Sequence, residues 1–120
     1  ASGKLFLAHK EPKQIAEVLL TLGYEQTGPN THLDSKSLLA DLKQIPKRGY
    51  SLNNRETDRK SLSFACPIFD QSGRIYAALG ISGMADEFSE PRIQELVKVL
   101  QDTIDRIHQK IKKDNILWHR

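Results

Sequence analysis

The stretch from Leu62 to Gly83 constrains this chain more than any other. It reads Leu-Ser-Phe-Ala-Cys-Pro-Ile-Phe-Asp, then Gln-Ser-Gly-Arg, then Ile-Tyr-Ala-Ala-Leu-Gly-Ile-Ser-Gly. Two runs rich in β-branched and aromatic residues, separated by a short polar segment containing Gly73, predict a β-hairpin. Asp70 is placed to open the turn by hydrogen-bonding its own backbone, and Gly73 to take a positive φ and form a bulge. The second run ends in small residues: Ala77, Ala78, Gly80, Ser82 and Gly83. Such residues add little to a strand interior, so they mark a close approach by something else, a packed helix or a bound small molecule.

The rest of the chain is mostly helical in pattern. Residues 1–9 read as a short helix opened near Ser2, with Leu5, Leu7 and Ala8 available for burial. Pro12 suits a first helical turn, and Ile15, Val18, Leu19 and Leu22 follow at i, i+3, i+4 and i+7 before a stop at Gly23. Tyr24 to Asp34 is polar and broken by Gly28 and Pro29, a loop. Ser35 is the expected N-cap of the next helix, whose stripe is Leu38, Leu39, Leu42 and Ile45. Pro46 should end or distort it. A short strand over Tyr50–Leu52 leads into a polar connection, Asn53 to Lys60. After Gly83 a loop precedes the last helix, started by Ser89-Glu90-Pro91-Arg92. Its stripe of Ile93, Leu96, Val97, Leu100, Ile104, Ile107 and Ile111 predicts a helix packed across the sheet. The tail Asn115 to Arg120 has apolar residues without a clear period and is expected to be ordered by a partner.

A length of 120 residues gives one domain with a real core. A hydrophobic fraction of 38% and a mean hydropathy of −0.50 point to a soluble protein, and no apolar run approaches the ~20 residues that span a bilayer. With no signal or lipidation pattern, the expected compartment is the cytoplasm. The single cysteine, Cys66, excludes an internal disulfide framework and a cysteine-based metal site. Eighteen Lys and Arg stand against 15 Asp and Glu. That small, scattered excess does not make this domain a nucleic-acid binder by itself. The basic group Lys110, Lys112 and Lys113 suits a helix C-terminus.

No catalytic constellation emerges. His9, His32, His108 and His119 lack metal-ligand spacing, and Asp86, Glu87 and Glu90 sit where they complement a helix N-terminus. Cys66 lies mid-strand and is expected to be an inert buried thiol. Ser2-Gly3-Lys4 lacks the glycine spacing and preceding strand of a phosphate loop. What remains is a set of small polar residues able to line one concavity: Ser61 and Ser63 entering the hairpin, Ser82 leaving it, Ser2 opening the first helix. Hydroxyls and the free amides of a helix start are good ligands for a small carboxylate. The same serines would equally suit an open, solvated sheet face.

Taken in order, these motifs resemble the effector-binding domain of IclR-type bacterial transcriptional regulators. The match is carried by Ser2 to Ala8, Asn30-Thr31, Lys47-Arg48-Gly49-Tyr50, Glu56, Ala65 to Asp70, Gly73, and Ala77 to Gly83. The likeness runs from about Ser2 to Ile111. It implies an α/β (α+β) fold of GAF-like or profilin-like type, a curved antiparallel sheet flanked by helices. It implies a small-molecule effector, often an organic, sugar or aromatic acid, bound without chemistry and with no cofactor or metal. It also implies a C-terminal fragment, with residues 1–120 forming the sensor domain. The DNA-binding winged helix-turn-helix and the first sensor strands would lie upstream, so DNA would be met only through that separate domain. The resemblance further implies assembly as a homodimer or homotetramer.

The family's pocket positions map onto Ala1 and Ser2, onto Asn53 and Ser63 flanking the polar connection, and onto Gly80 and Ser82. Ser61 joins them from the residue reading. Asn53 stands where an acidic residue is common, Ser63 where cysteine is common, and Gly80 where serine is common. The connection reads Arg-Glu-Thr-Asp-Arg-Lys where a Glu-Glu pair followed by a glycine is usual. The alternative reading is a stand-alone GAF-like sensor or dimerisation module, and a more distant one is a small enzyme using Cys66.

Overall fold

The computed structural model describes residues 1–113. Helices α1 (Ser2–Ala8), α2 (Pro12–Thr21) and α3 (Ser35–Arg48) precede strands β1 (Ser51–Asn54), β2 (Ser61–Phe69) and β3 (Ile75–Met84). A 3-10 turn (Ala85–Glu87) then leads into α4 (Glu90–Lys113). The expectation for Asn115 to Arg120 lies outside the described residues.

The strands form one antiparallel sheet in the order β1-β2-β3. Side chains alternate between faces along a strand, and β2 is buried on both. Leu62, Phe64 and Cys66 meet Ile93, Val97, Leu100 and Ile104 of α4. Each buried aliphatic side chain of that stripe contributes about 1.5–3 kcal/mol. On the other face Ala65 joins Leu5 and Ala8 of α1, Leu19 of α2, and Leu38, Leu42 and Ile45 of α3. The result is three layers, with α4 below the sheet and α1, α2 and α3 above it.

The hairpin turn forms as its residues dictate. Asp70 Oδ1 accepts from the amides of Ser72 at 2.9 Å and Arg74 at 3.1 Å. Gly73 takes φ +84°, and the β2–β3 register shifts between Ile68 and Phe69. The last helix starts as read, with Ser89 Oγ accepting from Arg92 N at 3.2 Å.

Four local expectations need correction. The N-cap of α3 is Asp34, not Ser35: its carboxylate accepts from Ser37 N at 2.7 Å, where a charged acceptor outdoes a hydroxyl. Pro46 does not end α3, which runs on to Arg48. The proline removes one backbone bond, while burial of Leu38, Leu42 and Ile45 holds the helix together. Gly49, at φ +86°, terminates it. In α2 the stop falls one residue before Gly23, with Leu22 already extended and 42% exposed. Thr21 Oγ1 and Tyr24 Oη donate to the carbonyls of Val18 and Leu19, so side chains finish this helix in place of a left-handed glycine. Finally, β1 covers Ser51–Asn54 and not Tyr50–Leu52, because pairing with β2 carries it on to Asn54↔Leu62.

Candidate functional site

Strand register assembles the site. Asn53 pairs with Ser63 and Ser63 with Ser82, so the three occupy one cross-strand row on the α1 side of the sheet. The next row holds Ser51, Ala65 and Gly80. Ser51 is fully buried, and its hydroxyl donates to the Ala1 carbonyl at 2.6 Å. The backbone nitrogen of Ala1 lies 3.3 Å from Ser63 Oγ. These two contacts dock the start of α1 on β1 and β2 and leave a groove between it and β3. The groove, about 340 Å³, is lined by Ala1, Ser2, Ser63, Ala65, Ala78, Gly80 and Ser82, with Phe64 and Ile81.

Of the positions read from the sequence, Ala1, Ser2, Ser63, Gly80 and Ser82 line this groove, while Asn53 and Ser61 do not. Asn53 Oδ1 accepts from Glu56 N at 3.1 Å and its Nδ2 donates to Thr57 Oγ1 at 3.0 Å. Ser61 Oγ donates to Asp58 Oδ2 at 2.9 Å. Both polar groups are engaged by the connection between β1 and β2.

The small residues of β3 divide between the faces. A Cβ on Gly80 would come within 3.0 Å of the Phe64 carbonyl and 3.3 Å of Ala65 Cβ, and one on Gly83 within 3.0 Å of the Phe88 ring. At both glycines the close approach is made by the protein itself. Ala78 and Ser82 remain as groove wall.

Beside the groove lies a cluster that sequence reasoning missed. Lys4 Nζ donates to Asp41 Oδ2 at 2.6 Å, to Glu56 Oε2 at 2.8 Å, and to the Leu52 carbonyl. His32 Nε2 sits 3.0 Å from Asp41 Oδ2, with Nδ1 2.6 Å from Ser37 Oγ, and Arg48 approaches Asp41 Oδ1 at 3.5 Å. Burial alone would raise the Asp41 pKa. The hydrogen bond and charge of Lys4, with His32 and Arg48, outweigh it and hold the carboxyl below its ordinary value. His32, Asp41 and Glu56 bring ligand atoms within 4.8 Å of one another, a separation that could hold a metal ion. Here the Lys4 ammonium already bonds both carboxylates and supplies the cationic charge itself. These residues come from α1, the loop before α3, α3 and the β1–β2 connection, so no spacing motif links them. The one local signal was Lys4 beside Leu5 and four residues before Ala8, on the edge of a buried helix face.

The other reactive groups are accounted for locally. Cys66 faces the α4 layer, and burial pushes its thiol up to about 11. His108 Nε2 lies 3.1 Å from the Phe69 carbonyl, and His9 Nδ1 2.9 Å from that of Leu5.

The described residues thus present a three-stranded sheet with a groove of about 340 Å³ under the start of α1. The family model for the C-terminal region of the bacterial transcriptional regulator IclR matches residues 1–109, and the chain belongs to this family. It is 32% identical over 107 residues to the HTH-type transcriptional regulator KdgR of Escherichia coli (strain K12), a match covering 89% of this chain and 41% of KdgR. The crystal structure of the Thermotoga maritima IclR aligns with a TM-score of 0.81 at 35% identity, over 92% of this chain and 45% of that one. An IclR homolog of Microbacterium hydrocarbonoxydans, complexed with 4-hydroxybenzoate, aligns at 0.79 and 25% identity, over 92% and 44%. The chain thus spans less than half the length of these relatives. Its fold is the GAF-like one of IclR effector domains. These relatives are transcriptional regulators. No helix among the described residues is long and apolar enough to cross a membrane.

Proposed function

We propose that this chain is the effector-sensing part of a cytoplasmic IclR-type transcriptional regulator. The groove between the start of α1 and β3 takes a small organic or sugar acid, and occupancy alters DNA binding by a separate N-terminal domain of a homodimer or homotetramer. The observation that carries this reading is the groove itself. About 340 Å³ of space is lined by the hydroxyl residues Ser2, Ser63 and Ser82 together with Ala78 and Gly80. Hydroxyls both donate and accept, which suits a ligand bearing carboxylate and hydroxyl groups. Further support comes from the Microbacterium homolog, whose structure holds 4-hydroxybenzoate. Asn53 and Ser61 border the same face and complete the candidate set. A ligand can shift DNA affinity only through unequal binding to two states of the assembly.

The test is a thermal-shift screen of small carboxylates, hydroxybenzoates and sugar acids against the full-length regulator. Saturable stabilisation by one chemical class, abolished by Ser82→Leu, is the expected result. Stabilisation that survives Ser82→Leu, or none from any class, overturns the assignment of this groove.

A further inference from the structure

We propose that residues 54–60 form a strap latched by Glu56 on Lys4, and that release of this latch hands Asn53 and Ser61 to the groove. This concerns regulation of the groove and rests on its reading as the effector site.

Every residue from Asn53 to Lys60 is polar, so no apolar side chain anchors the segment. Polar contacts hold it in place. Asn30 donates from its backbone to the Arg55 carbonyl at 3.0 Å and from its side chain to the Asn54 carbonyl at 2.8 Å. The Thr27 and Thr31 hydroxyls donate to the Glu56 carbonyl. Arg55 has φ +56°, a conformation a non-glycine residue keeps only when its surroundings enforce it. Arg55 also reaches the exposed Asp86 carboxylate at 3.5 Å.

Beside that surface pair, Glu56 ties the segment to the layered body through His32 Nε2, 3.7 Å from its Oε1, and most closely through Lys4 at 2.8 Å, with the Glu56 and Lys4 side chains 17% and 13% exposed. A charge-assisted bond shielded from water is the strongest single tie available here. Lys4 lies two residues after Ser2, on the helix whose start walls the groove. Its third bond, to the Leu52 carbonyl, holds the residue before Asn53. The latch therefore touches the groove's helix, the strap and the strand leading into the strap. With the strap down, Asn53 is occupied by Glu56 and Thr57, and Ser61 by Asp58. Lifting it frees both groups on the face they share with Ser63. That is how residues flanking the groove can stand outside its lining and yet serve a ligand.

The test needs no ligand. Arg55, Arg59 and Lys60 place trypsin sites inside the strap, and amide exchange reports the same segment. In Glu56→Gln the strap amides and tryptic cleavage at 55–60 should accelerate about tenfold, as for loss of one charge-assisted bond, while β2, β3 and α4 keep their protection. Asp41→Asn, which leaves the Glu56–Lys4 bond, should leave strap exchange unchanged. Strap rates unaffected by Glu56→Gln, or protection lost equally in the strap and in β2 and β3, overturn the latch. These rates are independent of any ligand screen, so the groove reading and the latch fail separately.

Discussion

Lys4 on α1 and Asp41 on α3 meet at 2.6 Å, with side chains only 13% and 17% exposed. Lys4 also compensates Glu56, so removing the ammonium takes from two largely buried carboxylates the cation they share and leaves Asp41 only the longer Arg48 contact and His32. Lys4→Met should destabilise the domain by about 3 kcal/mol, the scale for breaking a largely buried pair, measured by urea unfolding. The double variant Lys4→Met/Asp41→Asn should lose less than the sum of its single changes, because the residues share one network. Additive losses would show that the pair is not coupled.

Acid should unfold the protein partly through Asp41. Its pKa in the folded state lies below the ordinary carboxylate value, so the unfolded chain binds more protons as pH falls through that value. The sign follows: the stabilisation is fully present above about pH 4 and disappears as pH drops through the folded pKa. Asp58 adds in the same direction, held down by hydrogen bonds from the Lys60 and Ser61 amides. Unfolding curves collected from pH 6 to pH 2 should show a shallower acid loss in Asp41→Asn than in the parent.

Two glycines should respond with opposite signs. A Cβ on Gly28 would lie 2.5 Å from the Arg55 carbonyl oxygen and 2.8 Å from both N and O of Asp58. All three atoms are backbone, so no side chain can rotate away. Gly28→Ala should cost about 1–3 kcal/mol, the range for overpacking. Gly3, inside α1, meets nothing within 4 Å, and Gly3→Ala should stabilise by about 0.5–1 kcal/mol. Melting temperatures of the two variants decide this; a destabilised Gly3→Ala would mean that α1 is not helical at that position.

Cys66 should be nearly unreactive while the protein is folded. With its thiol raised to about 11 and 1% exposed, it is thiolate to only about one part in a thousand at pH 8. Iodoacetamide should label it slowly in buffer and fast in denaturant. Rapid labelling of the folded protein would place the thiol in an open site.

What was legible in advance was local. The turn at Asp70 and Gly73, the capping of α4 by Ser89 and the stripe from Ile93 to Ile104 each depend on residues within one or two turns of one another. Where local reading failed, a partner outside the window decided: buried Leu42 and Ile45 carried α3 past Pro46, and pairing with β2 drew Asn53 and Asn54 into β1. The sequence resemblance carried the family, while strand register set Ser63, Gly80 and Ser82 along one groove.

The chain's own order of residues settled the hairpin, four helices and the IclR family, because turn chemistry, hydrophobic period and motif order all lie along the backbone. The tertiary structure decided the rest. It split the small residues of β3 between a strand neighbour, the Phe88 ring and the groove, since alternation sends successive side chains to opposite faces. It also gathered Lys4, His32, Asp41 and Glu56 from four separate segments. A charge cluster of that kind has no period to read; it exists only once burial makes each partner necessary to the others.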